Sequence, residues 1–144
     1  MMAIVLERHD AVLTELFAGR EILVITCSWS QDPEPSTRSA LDLAISPHGT
    51  LWVSLLTDDD PDPDFRVYTH LYVDLISWTS GSLDPLLRAV ARYETAGVMI
   101  AGPDVRRVYH PYDGGADVLL ADTAERDLVR ARYAEWLSAH PLGL

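Results

Sequence analysis

Three side chains in one short segment have the residue types and the spacing of a reactive site. His110, Asp113 and Asp117 flank the pair Gly114-Gly115, and the segment leads from the end of one predicted strand into the next. A histidine with two nearby carboxylates can bind a divalent metal ion or act as a general base. These residues therefore form a candidate site for catalysis or metal binding.

A purely structural role fits the same segment. Asp113 can accept backbone N–H bonds in an Asx turn, and a Gly-Gly pair suits a turn that needs positive φ angles. Asp117 can pair with Arg106 or Arg107 across the two strands. The sequence leaves the structural and the chemical interpretation open.

The signatures of several enzyme classes are missing from the chain. It contains no lysine, which excludes a Walker-type phosphate loop and Schiff-base chemistry. It has no Gly-x-Ser-x-Gly motif, and its single cysteine, Cys27, lies in an apolar run without a neighbouring histidine. We expect a buried, unreactive thiol there and no intramolecular disulfide. The sequence predicts no cofactor and leaves enzymatic activity as an alternative.

The net charge narrows the class of partner. The chain carries 22 acidic and 11 basic residues, a formal net charge of −11. Nucleic acids bind basic surfaces that release counterions, so we expect no nucleic-acid partner. Acidity favours either solubility alone or a cationic protein partner. We find no secretory leader pattern and no apolar run of the roughly 20 residues that span a bilayer, which predicts a cytoplasmic protein without membrane contact.

Two neighbouring segments are predicted to contact such a partner. Residues 58–64 hold five aspartates and two prolines, typical of an extended acidic loop. Residues 65–76 alternate like a strand, and one face mixes tyrosines with both signs of charge. This face is predicted to bind the partner, because interfaces are enriched in tyrosine and arginine; the alternative is that a helix covers the tyrosines. The predicted contacts are Asp58, Asp59, Asp60, Asp62, Asp64, Arg66, Tyr68, His70 and Tyr72.

Hydrophobic periodicity and turn residues predict one α+β domain over residues 1–144. Helices are predicted over residues 4–18, from Ser82 to Gly97, and from Asp122 or Thr123 to His140. About seven strands are predicted, at residues 21–29, 40–46, 50–57, 65–76, 98–101, 105–110 and 116–121. The order is α-β-β-β-β-α-β-β-β-α, and the short connections favour a mainly antiparallel sheet flanked by the three helices on one face.

The same patterns predict the burial of individual side chains. His9 lies on the apolar stripe of the first helix and is expected to pack in the core. Trp78 follows a strand in a loop and is predicted to be the most exposed tryptophan. The predicted buried stripe of the last helix consists of Val129, Tyr133, Trp136 and Leu137.

The last third of the chain resembles a bacterial domain family of unknown function. Members carry an Asp-Arg-Gly-x-Asp turn, an apolar strand ending in alanine, and a helix with a tyrosine and a tryptophan three residues apart. The matching residues here are Asp113-Gly114-Gly115-Ala116-Asp117, Val118 to Ala121, Tyr133 and Trp136. Gly114 stands where the family's turn has its arginine. The resemblance implies a small bacterial domain with no known activity or cofactor.

These observations lead to three hypotheses of function. The first is a small acidic cytoplasmic binding protein, of the immunity or antitoxin type, that neutralises a cationic bacterial toxin. The second is an enzyme or metal-binding domain that uses His110, Asp113 and Asp117. The third is an accessory subunit that forms a homodimer through an exposed sheet edge.

Overall fold

Helices and strands follow one another along residues 1–137, the part of the chain that the computed structural model describes. The α-helices in this part are α1 (Met2–Phe17), α2 (Ala40–Ile45), α3 (Asp84–Ala91) and α4 (Thr123–Arg132). The strands are β1 (Glu21–Ser30), β2 (Thr50–Asp58), β3 (Val67–Ser77), β4 (Met99–Ala101), β5 (Arg107–Tyr112) and β6 (Gly115–Leu120). Short 3-10 helices cover Pro63–Phe65 and Ala134–Trp136.

The strands form a single sheet in the order β2-β3-β1-β4-β5-β6, and every neighbouring pair is antiparallel. β1 and β3 form the longest pairing, from Glu21 opposite Ser77 to Ser30 opposite Tyr68. Both strands are rich in β-branched and aromatic residues, which pack well on a pleated surface. The predicted α+β class with a mainly antiparallel sheet is confirmed.

One predicted strand is wrong, because residues 40–45 form helix α2. The Asp42 N–H donates to the Ser39 hydroxyl at 3.1 Å, and the Ser39 N–H donates to the Asp42 carboxylate at 3.0 Å. This reciprocal capping box satisfies two N–H groups that would otherwise lack partners and so begins a helix. Leu41 and Ile45 are four residues apart and both pack against the core. The sheet therefore has six strands rather than about seven.

The hydrophobic core lies between one face of the sheet and the helices α1 and α3. Helix α1 contributes Leu13, Leu16 and Phe17, which are fully or almost fully buried. Ile22 and Val24 of β1 meet them from the sheet, because alternate residues of a strand point to the same face. This packing leaves the opposite face of the sheet without a covering helix.

Helix α4 is held at the edge of the domain and does not enter the core. The predicted buried stripe is wrong: none of the α4 side chains is buried, Val129 and Tyr133 are half-buried, and Trp136 and Leu137 are exposed. The helix ends at Arg132. Its predicted end at His140 lies outside the described residues.

Arg107 joins α4 to the rest of the domain. Its Nη1 donates to the Leu16 carbonyl at the end of α1, at 2.6 Å, and its Nη2 lies 2.5 Å from Glu125 Oε1 in the first turn of α4. A cation at a helix C-terminus and an acid at a helix N-terminus both compensate the helix dipole. Arg107 therefore pairs with Glu125 and not, as predicted, with Asp117.

Replacing Arg107 by alanine is expected to lower the free energy of unfolding by about 1–3 kcal/mol, since the Leu16 carbonyl and Glu125 lose a charged hydrogen-bond donor. Arg106→Ala is the matched control, because Arg106 is exposed and takes part in no ion pair among residues 1–137. Its effect should stay within about 0.5 kcal/mol. Urea denaturation of both variants measures the difference, and equal effects would show that the Arg107 contacts are not stabilising.

Candidate functional site

His110 and Asp117 lie opposite each other on β5 and β6, with His110 Nδ1 4.0 Å from Asp117 Oδ2. Asp113 lies in the turn between these strands, beside Tyr93, and a hydrogen bond to its carboxylate raises the pKa of the Tyr93 phenol. Among residues 1–137, no three His, Cys, Asp or Glu side chains are close enough to hold one metal ion. The structure therefore brings two of the three predicted residues together and gives no three-ligand metal site.

The β5–β6 turn is not the predicted Asx turn. No backbone N–H of the described residues donates to Asp113, and neither Gly114 nor Gly115 has a positive φ. The packing of Tyr112 explains a glycine at 115 instead. A Cβ at Gly115 would lie 3.3 Å from the Tyr112 hydroxyl, so the small residue lets this ring lie across the turn.

On β3, the face that was predicted to bind a partner is covered, and Leu75 on the opposite face is exposed. His70 is 1% exposed and Tyr72 is 7% exposed, so neither side chain offers a surface to a partner. The Arg38 guanidinium lies 4.7 Å from the centre of the Tyr72 ring and helps to cover it. The segment around α2 thus covers the polar face of β3, which is the alternative in which the tyrosines are covered.

His70 is buried because its two ring nitrogens are both satisfied. Its Nε2 is 2.7 Å from the Ser30 hydroxyl, and its Nδ1 is 2.7 Å from the Ser54 hydroxyl. A neutral imidazole has one donor and one acceptor, and each hydroxyl can take the complementary role. This hydrogen-bonded set ties β1, β2 and β3 together and gives His70 a structural position.

The acidic segment forms the tip of the β2–β3 hairpin. Asp60 and Asp62 each accept the backbone N–H two residues further on, and Arg66 donates to the Asp60 carbonyl at 3.0 Å. Arg66 also lies 3.4 Å from the carboxylate of Asp59. The remaining carboxylates point outward, and those of Asp58 and Asp64 accept no hydrogen bond from the described residues. The tip therefore presents an excess of negative charge to solvent.

Most side chains on the uncovered face of the sheet are apolar, although Thr69, His110 and Asp117 also lie on it. Cross-strand pairs such as Ile25 opposite Val73 and Leu23 opposite Leu75 line it without a charged side chain between them. Leu75 is 52% exposed although it is a large apolar residue. We call this surface the open face; its residues are Leu23, Ile25, Val53, Leu55, Leu71, Val73, Leu75, Met99, Val108 and Leu119.

Three tryptophans differ in how far their side chains are exposed. Trp78 is only 6% exposed and belongs to the core, which contradicts its predicted exposure. Trp52, at a bulge of the edge strand β2, is 65% exposed, and Trp29 at the end of β1 is also exposed. Trp52 thus adds exposed apolar surface at the β2 edge of the sheet, and Trp29 adds it on β1 near Gly97.

A cavity of about 440 Å³ opens between α1, α4 and the β5–β6 hairpin. Its wall combines apolar side chains with three arginines and two aspartates. The apolar part includes Val12, Val118 and Val129, and the charged residues are Arg8, Arg126, Arg130, Asp113 and Asp117. A size of roughly 300–1,000 Å³ is typical of sites for small molecules.

His9 and Tyr109 form the inner end of this cavity. The two side chains are buried, and His9 Nδ1 is 2.5 Å from the Tyr109 hydroxyl. Burial lowers the pKa of His9 and raises that of Tyr109, because each charged form loses its hydration. His9 is therefore neutral near pH 7. The prediction that His9 is a packing histidine is confirmed by its burial.

Comparison with known families places the whole domain. A family model described as a domain of unknown function, DUF3885, matches residues 1–141. The chain belongs to the DUF3885 family. No curated protein and no solved structure matches it. The predicted membership in a domain family of unknown function is therefore confirmed at the level of the family.

Sequence patterns alone did not predict the open face or the cavity of this DUF3885 domain. The open face was overlooked because its residues read as ordinary core positions, and the cavity joins helices from opposite ends of the chain.

Cys27 is buried as predicted, and burial raises the pKa of its thiol. Within residues 1–137, no helix has the length and hydropathy that a bilayer crossing requires.

Proposed function

We propose that this DUF3885 domain is a binding protein whose open face receives a cationic protein partner. The observation that carries the proposal is the exposed apolar surface of the open face, with the acidic β2–β3 tip at its rim. Large exposed apolar patches with polar rims mark sites of protein association. Six strands at a spacing of about 4.8 Å span roughly 24 Å, so one partner can cover the whole face.

The charge of the domain supports a basic partner. Asp58 and Asp64 lie at the tip that joins β2 and β3, two of the six strands of the sheet. A net charge of −11 would repel a second copy of the chain and attract a cationic protein. In an interface with an apolar centre and a charged rim, burial of the centre supplies affinity. The rim raises the association rate and the selectivity.

Neutralisation of a cationic bacterial toxin, as an immunity or antitoxin protein would perform it, is the specific form of binding that we propose. We also propose that the domain is cytoplasmic. The turn around Asp113, with Gly114 in place of an arginine, is proposed to correspond to the Asp-Arg-Gly-x-Asp turn of the family. The proposed contact residues differ from those that the sequence alone predicted. The acidic residues of the tip remain in it, and Leu55 and Leu75 of the open face replace the buried His70 and Tyr72.

Affinity capture from the native host tests this proposal, with bound proteins identified by mass at low and moderate salt. The double variant Leu55→Ser/Leu75→Ser should reduce retention of a basic partner by at least about tenfold, since each buried leucine contributes about 1.5–3 kcal/mol. Leu128→Ser is the matched control, because Leu128 is an exposed leucine of α4 outside the open face. Asp58→Asn/Asp64→Asn should make the remaining binding less sensitive to salt.

Two outcomes would overturn the proposal. Equal retention by the open-face variant and by the Leu128 control would place the contact elsewhere. A solution mass of two chains that returns to one chain in the Leu55→Ser/Leu75→Ser variant would show that a second copy covers the open face. Sedimentation equilibrium measures this mass directly.

A further inference from the structure

The cavity between α1, α4 and the β5–β6 hairpin is lined by more arginines than acidic residues, although the chain as a whole is acidic. Arg8, Arg126 and Arg130 line it, and no ion pair among residues 1–137 involves Arg8 or Arg130. Arg126 pairs with Asp127 on the exposed surface of α4, at 3.0 Å. Such arginines can each present two parallel N–H donors to an anion.

Two aspartates, Asp113 and Asp117, also line the cavity, but no ion pair among residues 1–137 joins either of them to an arginine. Asp117 is opposite His110 on the strand pair, and its carboxylate lies 4.0 Å from the imidazole on the open-face side. Asp113 lies beside Tyr93, whose pKa its carboxylate raises. The cavity wall therefore carries three arginines against two aspartates, and Arg8 and Arg130 are paired with neither aspartate.

The rest of the wall is suited to an apolar body. Val12, Val118 and Val129 line one part, and the rings of Tyr133 and Trp136 pack together with their centres 4.9 Å apart. The Arg8 guanidinium lies 5.2 Å from the centre of the Trp136 ring, which places a cation next to an aromatic wall. An anion bound by Arg8 would thus lie close to Trp136.

The His9 imidazole lies at the inner end of the cavity. His9 is buried and lines the cavity, and only its Nδ1 has a hydrogen-bond partner among the described residues. The Tyr109 hydroxyl occupies Nδ1, so Nε2 is the ring nitrogen that can bind a polar atom of a ligand. Buried polar groups usually have partners, which makes His9 a second anchor beside the arginines.

We infer that this cavity binds a small amphipathic carboxylate, an acid with an aliphatic or aromatic body. The carboxylate lies between Arg8 and Arg130, and the body packs against the valines and against Tyr133 and Trp136. The combination of an apolar wall with a few convergent polar groups is typical of small-molecule sites. This site lies on the helix side of the sheet and is independent of the protein contact proposed for the open face.

Titration with octanoate, and with 1-octanol as the uncharged probe of equal length, tests the inference. The indole N–H signals in ¹H–¹⁵N spectra report the location, because Trp136 is at the cavity while Trp29 and Trp52 are on the strands of the open-face side. Trp136→Phe assigns the signal. We expect octanoate to shift the Trp136 signal to saturation and to bind at least about tenfold more tightly than octanol, as a charged hydrogen bond implies.

Charge variants separate a built site from unspecific apolar binding. Arg130→Gln should remove most of the preference for octanoate, and Arg8→Gln serves the same purpose if the first variant unfolds. Arg92→Gln, an exposed arginine at the end of α3, should leave the titration unchanged. The inference is overturned if the Trp136 signal does not move, if octanol binds as tightly as octanoate, or if the Arg130 and Arg92 variants behave alike.

Discussion

Replacing Phe17 by alanine is expected to lower the free energy of unfolding by about 3–5 kcal/mol. Phe17 is 0% exposed at the C-terminal end of α1, where it belongs to the cluster that joins α1 and α3 to the sheet. Removing the ring loses its burial and leaves a cavity that the surrounding residues cannot fill. A change of this size is a large part of the 5–15 kcal/mol that stabilise a typical domain.

The other phenylalanine of the chain is the matched control. Phe65 lies in the 3-10 helix Pro63–Phe65 and is 67% exposed. We expect Phe65→Ala to change the free energy of unfolding by no more than about 0.5 kcal/mol. Urea denaturation followed by circular dichroism compares the two variants, and similar effects would mean that the helices do not pack on the sheet as described.

Acidification is expected to destabilise the domain below about pH 6.5, the ordinary pKa of histidine. Burial lowers the pKa of His9, so below pH 6.5 the unfolded chain binds a proton there before the folded chain does. Proton uptake then favours unfolding, and the free energy of unfolding falls by up to about 1.4 kcal/mol per pH unit until the folded-state pKa is reached. About one pH unit above 6.5, His9 is almost fully neutral in both states, and the effect disappears.

Histidine variants isolate this contribution from that of the carboxylates. His9→Gln should flatten the pH dependence between pH 6.5 and the region where acidic residues titrate. His48→Gln should leave it unchanged, because His48 is exposed at the turn between α2 and β2. The free energy of unfolding is measured by urea denaturation at several pH values. A slope that persists in His9→Gln would assign the acid sensitivity to other groups.

Local patterns were sufficient where one element decides the outcome. The stripe of Leu13, Leu16 and Phe17 predicted α1 because helical spacing places these residues on one side. Alternation in residues 65–76 predicted β3 and separated its two faces correctly. Residues 40–46 failed because alternating apolar residues in so short a segment fit both states, and the Ser39–Asp42 capping box decided for a helix.

The candidate surfaces depended on contacts between distant parts of the chain. Alternation cannot tell which face of β3 is covered. His70 and Tyr72 are buried, with Arg38 over the Tyr72 ring, while Leu75 stays exposed. The cavity likewise joins Arg8 near the start of the chain to Arg130 of α4. Neither arrangement has a local signature, because side chains so far apart in sequence meet only after the sheet has formed.

The sequence by itself determined the acidity of the chain, its α+β class and most of its helices and strands, because charge and periodicity are properties of single segments. Tertiary structure alone decided that the helices pack on the Ile22–Val24 face and leave an apolar face open. It also placed Asp117 opposite His110 and at the wall of the cavity that Arg8, Arg126 and Arg130 line. The physical reason is that burial is shared between elements, and each element has two sides that its own residues cannot rank.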